Sequence, residues 1–435
     1  MKSIAWRNIL LFTLMGMLLV GVWHLQSPTL AMTILNMGLI SAIMALGVNM
    51  QWGYAGLFNV GVMGYTAVGG LAVVIIAVSP VTEAWSAGAF GALLGLMIGA
   101  GTIMAAIAFY KRMPAGHLRG LGLVVILVAG WLLAQHVFVP ATRAIEAINP
   151  ATQGNLGGLG LPVLMAWPVG AVLAAGVAWL VGKVALGLRS DYLAIATLGI
   201  SEIIIAILKN EEWLSRGVKN VVGLPRPVPT PVELRREQWV IDLAETLGRS
   251  VNETAQLLIQ FAYAGLFLIV LGILIWLAER ALNSPWGRMM RAIRDNETAA
   301  RAMGKDVTRR HLNIFVLGAA VCGLAGAMMV TLDGQLNPSA YEPLRFTFLI
   351  WIMVIVGGSG NNWGAVLGGM LIWFLWIQVE PAGRWLIDFG TAWLGDESAI
   401  RAHLMAHAAH MRLLTMGVLL LLVLRFSPRG LIPER

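Results

Sequence analysis

The sequence predicts an all-α polytopic integral membrane protein with about ten to twelve transmembrane helices, and three observations carry that prediction. Of its 435 residues, 58% are apolar and 12% are charged, whereas soluble chains average about 25% charged residues. The mean hydropathy is +0.78. The chain also holds 50 Gly and 17 Trp, types enriched in spanning helices and at membrane interfaces. So little polar surface cannot keep a body of this size in water. A single cysteine, Cys322, excludes an internal disulfide framework and a Cys-rich metal site.

A span needs about 20 mostly apolar residues. By that measure spans fall at residues 8–24, 30–48, 57–78, 88–110, 120–139 and 163–186, then at 192–208, 259–280, 311–332, 345–358, 363–380 and 413–425. Three of these, 192–208, 345–358 and 413–425, are short enough to read as tilted, re-entrant or half helices. An even number of spans puts both termini on one side, and the basic residues choose which. With the N-terminus cytoplasmic, 18 of the 30 Lys and Arg flank the spans on that side. Seven of the remainder lie in one long loop, residues 209–258, which seven Asp and Glu make neutral. Both termini are therefore expected in the cytoplasm. The net charge of +8 follows the same bias and implies no nucleic acid. Lys2 and Arg7 ahead of an apolar stretch also fit a cleaved leader, the alternative for the first span.

Two loops carry more than a connection. The extracytoplasmic insertion 209–258 has Pro225, Pro227, Pro229 and Pro231, then reads helical from 232 to 247. It is either a solvated cap or a docking surface for an extracytoplasmic partner. In the cytoplasmic loop 281–310, Ser284 and Pro285 signal a helix start and Gly304 a stop. Asp295 or Asn296 can cap a second short helix that presents Ala299, Ala300 and Met303 on one face. Such a small-residue face lets a groove on another protein approach closely, while the neighbouring Arg residues suit anionic membrane lipid.

Glycines crowd two further stretches: 53–65, with Gly56, Asn59, Gly61 and Gly64, and 356–364, with Gly357, Gly358 and Asn361. Irregular backbone at membrane depth survives only where protein or a watery cavity covers it, so both are candidate breaks lining a translocation pathway. The competing reading is close helix packing, as the small-residue spacing of Gly91, Gly95 and Gly99 suggests. Glu202, within the span 192–208, is a candidate because an unpaired charge at that depth is expensive; otherwise it lies near the surface. His403, His407 and His410 recur at helical spacing without a carboxylate, so no metal and no cofactor is expected. Gly182 and Lys183 are followed by Val184, and no phosphate-binding loop, nucleophile elbow or zinc-protease motif occurs. The chain is not expected to be an enzyme, and any ATP hydrolysis must reside on other subunits.

Four ordered stretches, 52–61, 188–199, 284–304 and 356–360, with a closing segment at 427–431, resemble the LivM-type permease subunits of branched-chain amino acid ABC importers. The resemblance implies a bacterial inner-membrane subunit paired with a second, LivH-like permease. It further implies two cytoplasmic ATPase subunits and a periplasmic substrate-binding protein. It also implies that Glu297, Ala299, Ala300 and Gly304 belong to a loop fitting a groove on the ATPase, whose closure pushes the segment from Asp295 onward. Residues 79–162 and 225–255 are additional to the usual pattern, and Asn59, Val62, Asn361 and Asn362 depart from it. Related permeases carry urea or short amides, which leaves that substrate class as one alternative. An ion-coupled secondary transporter using Glu202 is the other.

Overall fold

The computed structural model describes residues 2–150, 154–393 and 398–434. Helix α1 (Lys2–Leu25) is followed by α2 (Pro28–Ala55) and α3 (Val62–Ala77). A short α4 (Thr82–Ala84) runs through a π-helical turn into α5 (Phe90–Arg112), which pairs with α6 (His117–Glu146). Then come α7 (Ala166–Ala185) and α8 (Ser190–Asn210). A polar region with the short helices α9 (Glu212–Ser215), α10 (Pro231–Leu234) and α11 (Gln238–Leu247) leads to α12 (Val251–Leu282). Two short helices, α13 (Pro285–Asp295) and α14 (Glu297–Ala302), precede α15 (Val307–Asp333), α16 (Pro343–Gly357) and α17 (Asn362–Gly390). Helices α18 (Ala399–Ala406) and α19 (Met411–Phe426) close the chain. Strands β1 (Val221–Val222) and β2 (Gln335–Leu336) form a small antiparallel ladder between two loops.

Among the described residues ten helices are long and apolar enough to cross a membrane, and α3 and α16 are shorter apolar helices. These twelve coincide with the twelve expected spans, with three differences of physical interest. The segment 192–208 is no fragment, because α8 spans a full 21 residues. The third span is shorter than expected: α2 continues to Ala55, residues 56–61 are not helical, and α3 keeps only 16 residues. Pro140 and Pro381 do not end their helices, since α6 and α17 run through them, as spanning helices tolerate proline. In the polar insertion the expected helix over 232–247 is split into α10 and α11 by residues 235–237.

The core is organised around α3, of which nearly every residue is buried. Gly and Ala let its neighbours approach at backbone distance: a Cβ at Gly69 would sit 1.8 Å from the Gly323 carbonyl of α15. Such small residues let membrane helices make backbone-distance dispersion contacts, beside which Tyr65 packs edge-on against Phe315 with ring centroids 6.0 Å apart. Helices α7, α8, α15 and α16 pack against it. By contrast the α5–α6 pair packs mainly on itself and leaves broad apolar surface outward.

Successive helices place their connecting loops alternately on two faces. One face gathers residues 56–61, the loop 186–189, α13 with α14, the α16–α17 turn and the tail from Ser427 onward. The other gathers the α2 start, the polar insertion and the β1–β2 ladder.

Candidate functional site

The first face begins at the end of α2. Gly56 takes a left-handed conformation, φ +69°, and its N–H returns to the helix, which ends α2. The six residues that follow would leave backbone polar groups unsatisfied within an apolar body. Asn59 prevents that: its side chain donates to Gln51 Oε1 at 2.8 Å and accepts from the Gly61 N–H at 2.9 Å. Its carbonyl accepts from the Trp351 indole at 3.1 Å. The Val60 N–H donates to the Thr197 hydroxyl of α8 at 3.0 Å, and Gln51 donates to the Phe315 carbonyl of α15 at 2.7 Å. Trp52, Phe58 and Trp351 close over the segment with ring centroids 4.6–5.5 Å apart. This connector is thus a fixed hub joining α2, α3, α8, α15 and α16.

Gly61 and Gly64 lie where α3 meets α8, and added Cβ atoms would stand 2.5 Å from the Thr197 carbonyl and 2.9 Å from the Ser201 hydroxyl. Gly357 and Gly358 serve packing in the same way. The tail crosses them, with Leu431 N–H donating to Val356 O and Ile432 N–H to Gly357 O, both at 2.8 Å. Gly358 adopts φ +121° with the Ile432 carbonyl 2.1 Å from its Cβ position. Asn361 caps α17 through Trp363 and Gly364 N–H groups and donates to the Pro433 carbonyl at 3.0 Å. These glycines, expected to line a pathway, lie in close contact with neighbouring segments of the chain.

Helices α13 and α14 are the local product of two capped starts. Ser284 accepts from the Trp286 N–H ahead of Pro285, and Asn296 accepts from the Ala299 N–H. Gly304 ends the pair in a left-handed turn, φ +75°, with Lys305 N–H bonding back to Ala300 O at 3.2 Å. The predicted small-residue face is divided. Ala300 is buried, whereas Ala299, Met303 and Gly304 are exposed together with Asp295 and Glu297. Helical geometry explains the correction: adjacent residues stand about 100° apart, so Ala299 and Ala300 cannot share one narrow stripe.

One polar connection fastens this pair to the bundle, and a second joins the preceding α12 to α17. Arg294 donates to the Gly53 carbonyl near the end of α2 and pairs with Glu434 of the tail at 2.9 Å and with Asp295 at 3.1 Å. Burial works against its charge, but Glu434 and Asp295 outweigh that, so its pKa lies above the ordinary guanidinium value. Glu279, one turn before the end of α12, accepts from Asn362 Nδ2 at 3.1 Å. Asn362 Oδ1 in turn accepts from the Tyr54 hydroxyl at 2.8 Å, and Asn49 Oδ1 accepts from the Gly360 N–H at 2.8 Å. Arg294 thus joins α13 to α2 and the tail, and Glu279 joins the end of α12 to the start of α17.

Neither connection is evident from sequence. Glu279 itself, an ionisable residue near the end of a span, is a readable signal, but its partner Asn362 is not. Glu202 is exposed on the outer side of α8, and no ion pair holds it among the described residues. His403, His407 and His410 stack side by side, with centroids 4.2 Å and 5.6 Å apart, and no group of side chains suited to a metal ion occurs among the described residues.

With this geometry established, comparison with known proteins is decisive. The family model described as branched-chain amino acid transport system, permease component, matches residues 120–424. The chain belongs to that family. It is 27% identical over 318 residues to the high-affinity branched-chain amino acid transport system permease protein LivM of Escherichia coli, covering 72% of this chain and 67% of that one. It is also 27% identical over 309 residues to a probable branched-chain amino acid transport permease protein LivM of Methanocaldococcus jannaschii, covering 68% and 75%. A 203-residue stretch is 30% identical to the LivH permease protein of Escherichia coli, covering 46% and 59%. No solved structure matches the chain. In this branched-chain amino acid permease, then, the hub at Asn59, the tail-covered turn and the α13–α14 pair are parts of a transport subunit.

Proposed function

We propose that this permease is one half of an ATP-driven importer of branched-chain amino acids in a bacterial inner membrane, with both termini cytoplasmic. A LivH-like permease supplies the other half of the pathway. Two ATPase subunits act from the cytoplasm, and a substrate-binding protein delivers the amino acid from the periplasm.

The observation that carries this reading is the α13–α14 pair: exposed Ala299 and Met303 on a short element that Arg294 ties to α2 and the tail, next to α12, whose Glu279 bonds to α17. It has the features expected of a mechanical input. The outer side, with Asp295, Glu297, Ala299, Met303 and Gly304, enters a groove on the ATPase. When ATP closes the ATPase pair, the displacement passes along α12 and through Asn362 to α17. Helix α2 moves with Arg294, and the hub at Asn59 carries the motion to α3 and α8. Since Gly61, Gly64, Gly357 and Gly358 are closely packed by neighbouring segments, they act in that movement as close-contact pivots. The polar insertion, ordered by the β1–β2 ladder and by burial of Val240 and Ala244, offers the binding protein its landing surface.

Isolation of the chain in mild detergent at native expression tests the assembly. Recovery of a second permease and two ATPase subunits is the expected result. Recovery of the chain alone, with uptake that collapses when the proton gradient is removed, would overturn it.

A further inference from the structure

A cavity of about 200 Å³ lies between α2, α15, α16 and α17 near the loop face opposite α13 and α14. Five methionines, Met37, Met44, Met63, Met329 and Met353, form much of its wall. Asp333, at the end of α15, is the single charged residue lining it. Two further wall residues carry polar groups. Tyr341 is 2% exposed and, among the described residues, neither its hydroxyl nor the buried Trp373 indole N–H has a hydrogen-bond partner. Buried polar groups are normally paired, so orphans beside a cavity are donors open to a bound solute or water.

We propose that this cavity is a transmembrane subsite for a zwitterionic amino acid with an aliphatic side chain. The inference rests on the importer reading above and deepens it, by placing substrate selection within this subunit as well as in any delivering protein. The volume is below the range of drug-sized sites and suits one small solute. Thioether side chains are flexible and polarizable, so a methionine bed takes leucine, isoleucine and valine shapes alike. A charged side chain would lose its water there without gaining a partner. The Asp333 carboxylate holds the ammonium group through charge-assisted hydrogen bonds. The Tyr341 hydroxyl and Trp373 N–H are donors for the carboxylate. The Arg226 guanidinium, which covers Gly334 next to Asp333, keeps the mouth from being purely anionic and so admits a zwitterion over a simple cation.

The test uses the complete transporter, reconstituted in vesicles with its binding protein, and measures uptake of labelled leucine, valine and alanine. Asp333→Asn removes the ammonium partner and should lower leucine uptake about tenfold, the loss of one charge-assisted hydrogen bond. Ile350→Trp narrows the cavity, since Ile350 lines it, and should shift preference from leucine toward alanine with ATPase activity and assembly retained. A purely structural role would lower all three solutes in parallel. Wild-type uptake with both variants unchanged in rate and preference overturns the subsite alone. Wild-type vesicles that take up no aliphatic amino acid overturn the importer reading and the subsite with it.

Discussion

Glu279 of α12 and Asn362 of α17 are 83 residues apart in sequence and joined by a 3.1 Å hydrogen bond. The bond links the helix that enters α13 to the first residue of the helix that follows the glycine turn. Replacing Glu279 with Ala leaves the Asn362 amide without its acceptor and separates the two helices' ends. Leucine uptake should fall about tenfold, the loss of one hydrogen bond to a charged group, while ATPase subunits still copurify. Full uptake by Glu279→Ala would show that the displacement travels elsewhere.

Ala299 and Ala300 offer a paired test of the contact surface. Ala299 is exposed and Ala300 is 8% exposed. Ala299→Glu should leave the permease stable and abolish ATPase copurification. Ala300→Glu buries an unpaired charge and should lower the thermal stability of the permease itself in detergent. The reverse pattern would mean that the outer side of α14 has been assigned wrongly.

Gly304→Arg tests the helix stop. Its left-handed backbone, φ +75°, has nothing within 4 Å of the Cβ position, so the side chain fits and only the conformation resists, at about 1 kcal/mol. The permease should therefore assemble with its partner permease and lose ATPase coupling. Gly61→Leu, by contrast, meets the Thr197 backbone at 2.5 Å and should reduce the amount of folded protein in the membrane. Normal folded yield for Gly61→Leu would contradict the packing of α3 on α8.

Asn59→Ala removes the acceptor of the Gly61 N–H and the partner of Gln51. Each buried group left unpaired costs about 2 kcal/mol. A lowered unfolding temperature in detergent is expected, larger than that for Asn361→Ala, whose position is partly open. Equal shifts would remove Asn59 from the role of hub.

Much of this architecture is legible from sequence because apolar length alone decides whether a helix can span, and capping residues such as Ser284, Asn296 and Gly304 act locally. The boundary of the third span was misread because hydropathy does not distinguish helix from connector, and Leu57, Phe58 and Val60 are as apolar as the helix they precede. Nothing in the sequence around the glycines at 357 and 358 says that Arg429 to Ile432 will return to pack against them. Long-range polar pairs are invisible for the same reason. Arg294 meets Gly53 and Glu434 at separations of 241 and 140 residues, and no spacing rule joins them. Glu202 is a candidate by depth, and the face that its helix turns outward depends on neighbours that its own periodicity does not name.

The central claim is that α13 and α14 are the contact through which ATPases move this permease. Cys322 is buried at 1% exposure, so single cysteines elsewhere can be labelled selectively. Met303→Cys and Ala299→Cys in the complete assembly should cross-link to an ATPase subunit, and Val232→Cys on the opposite loop face should not. Cross-links to an ATPase from Val232→Cys, or none from either Met303→Cys or Ala299→Cys in an assembly that still imports leucine, would contradict the account.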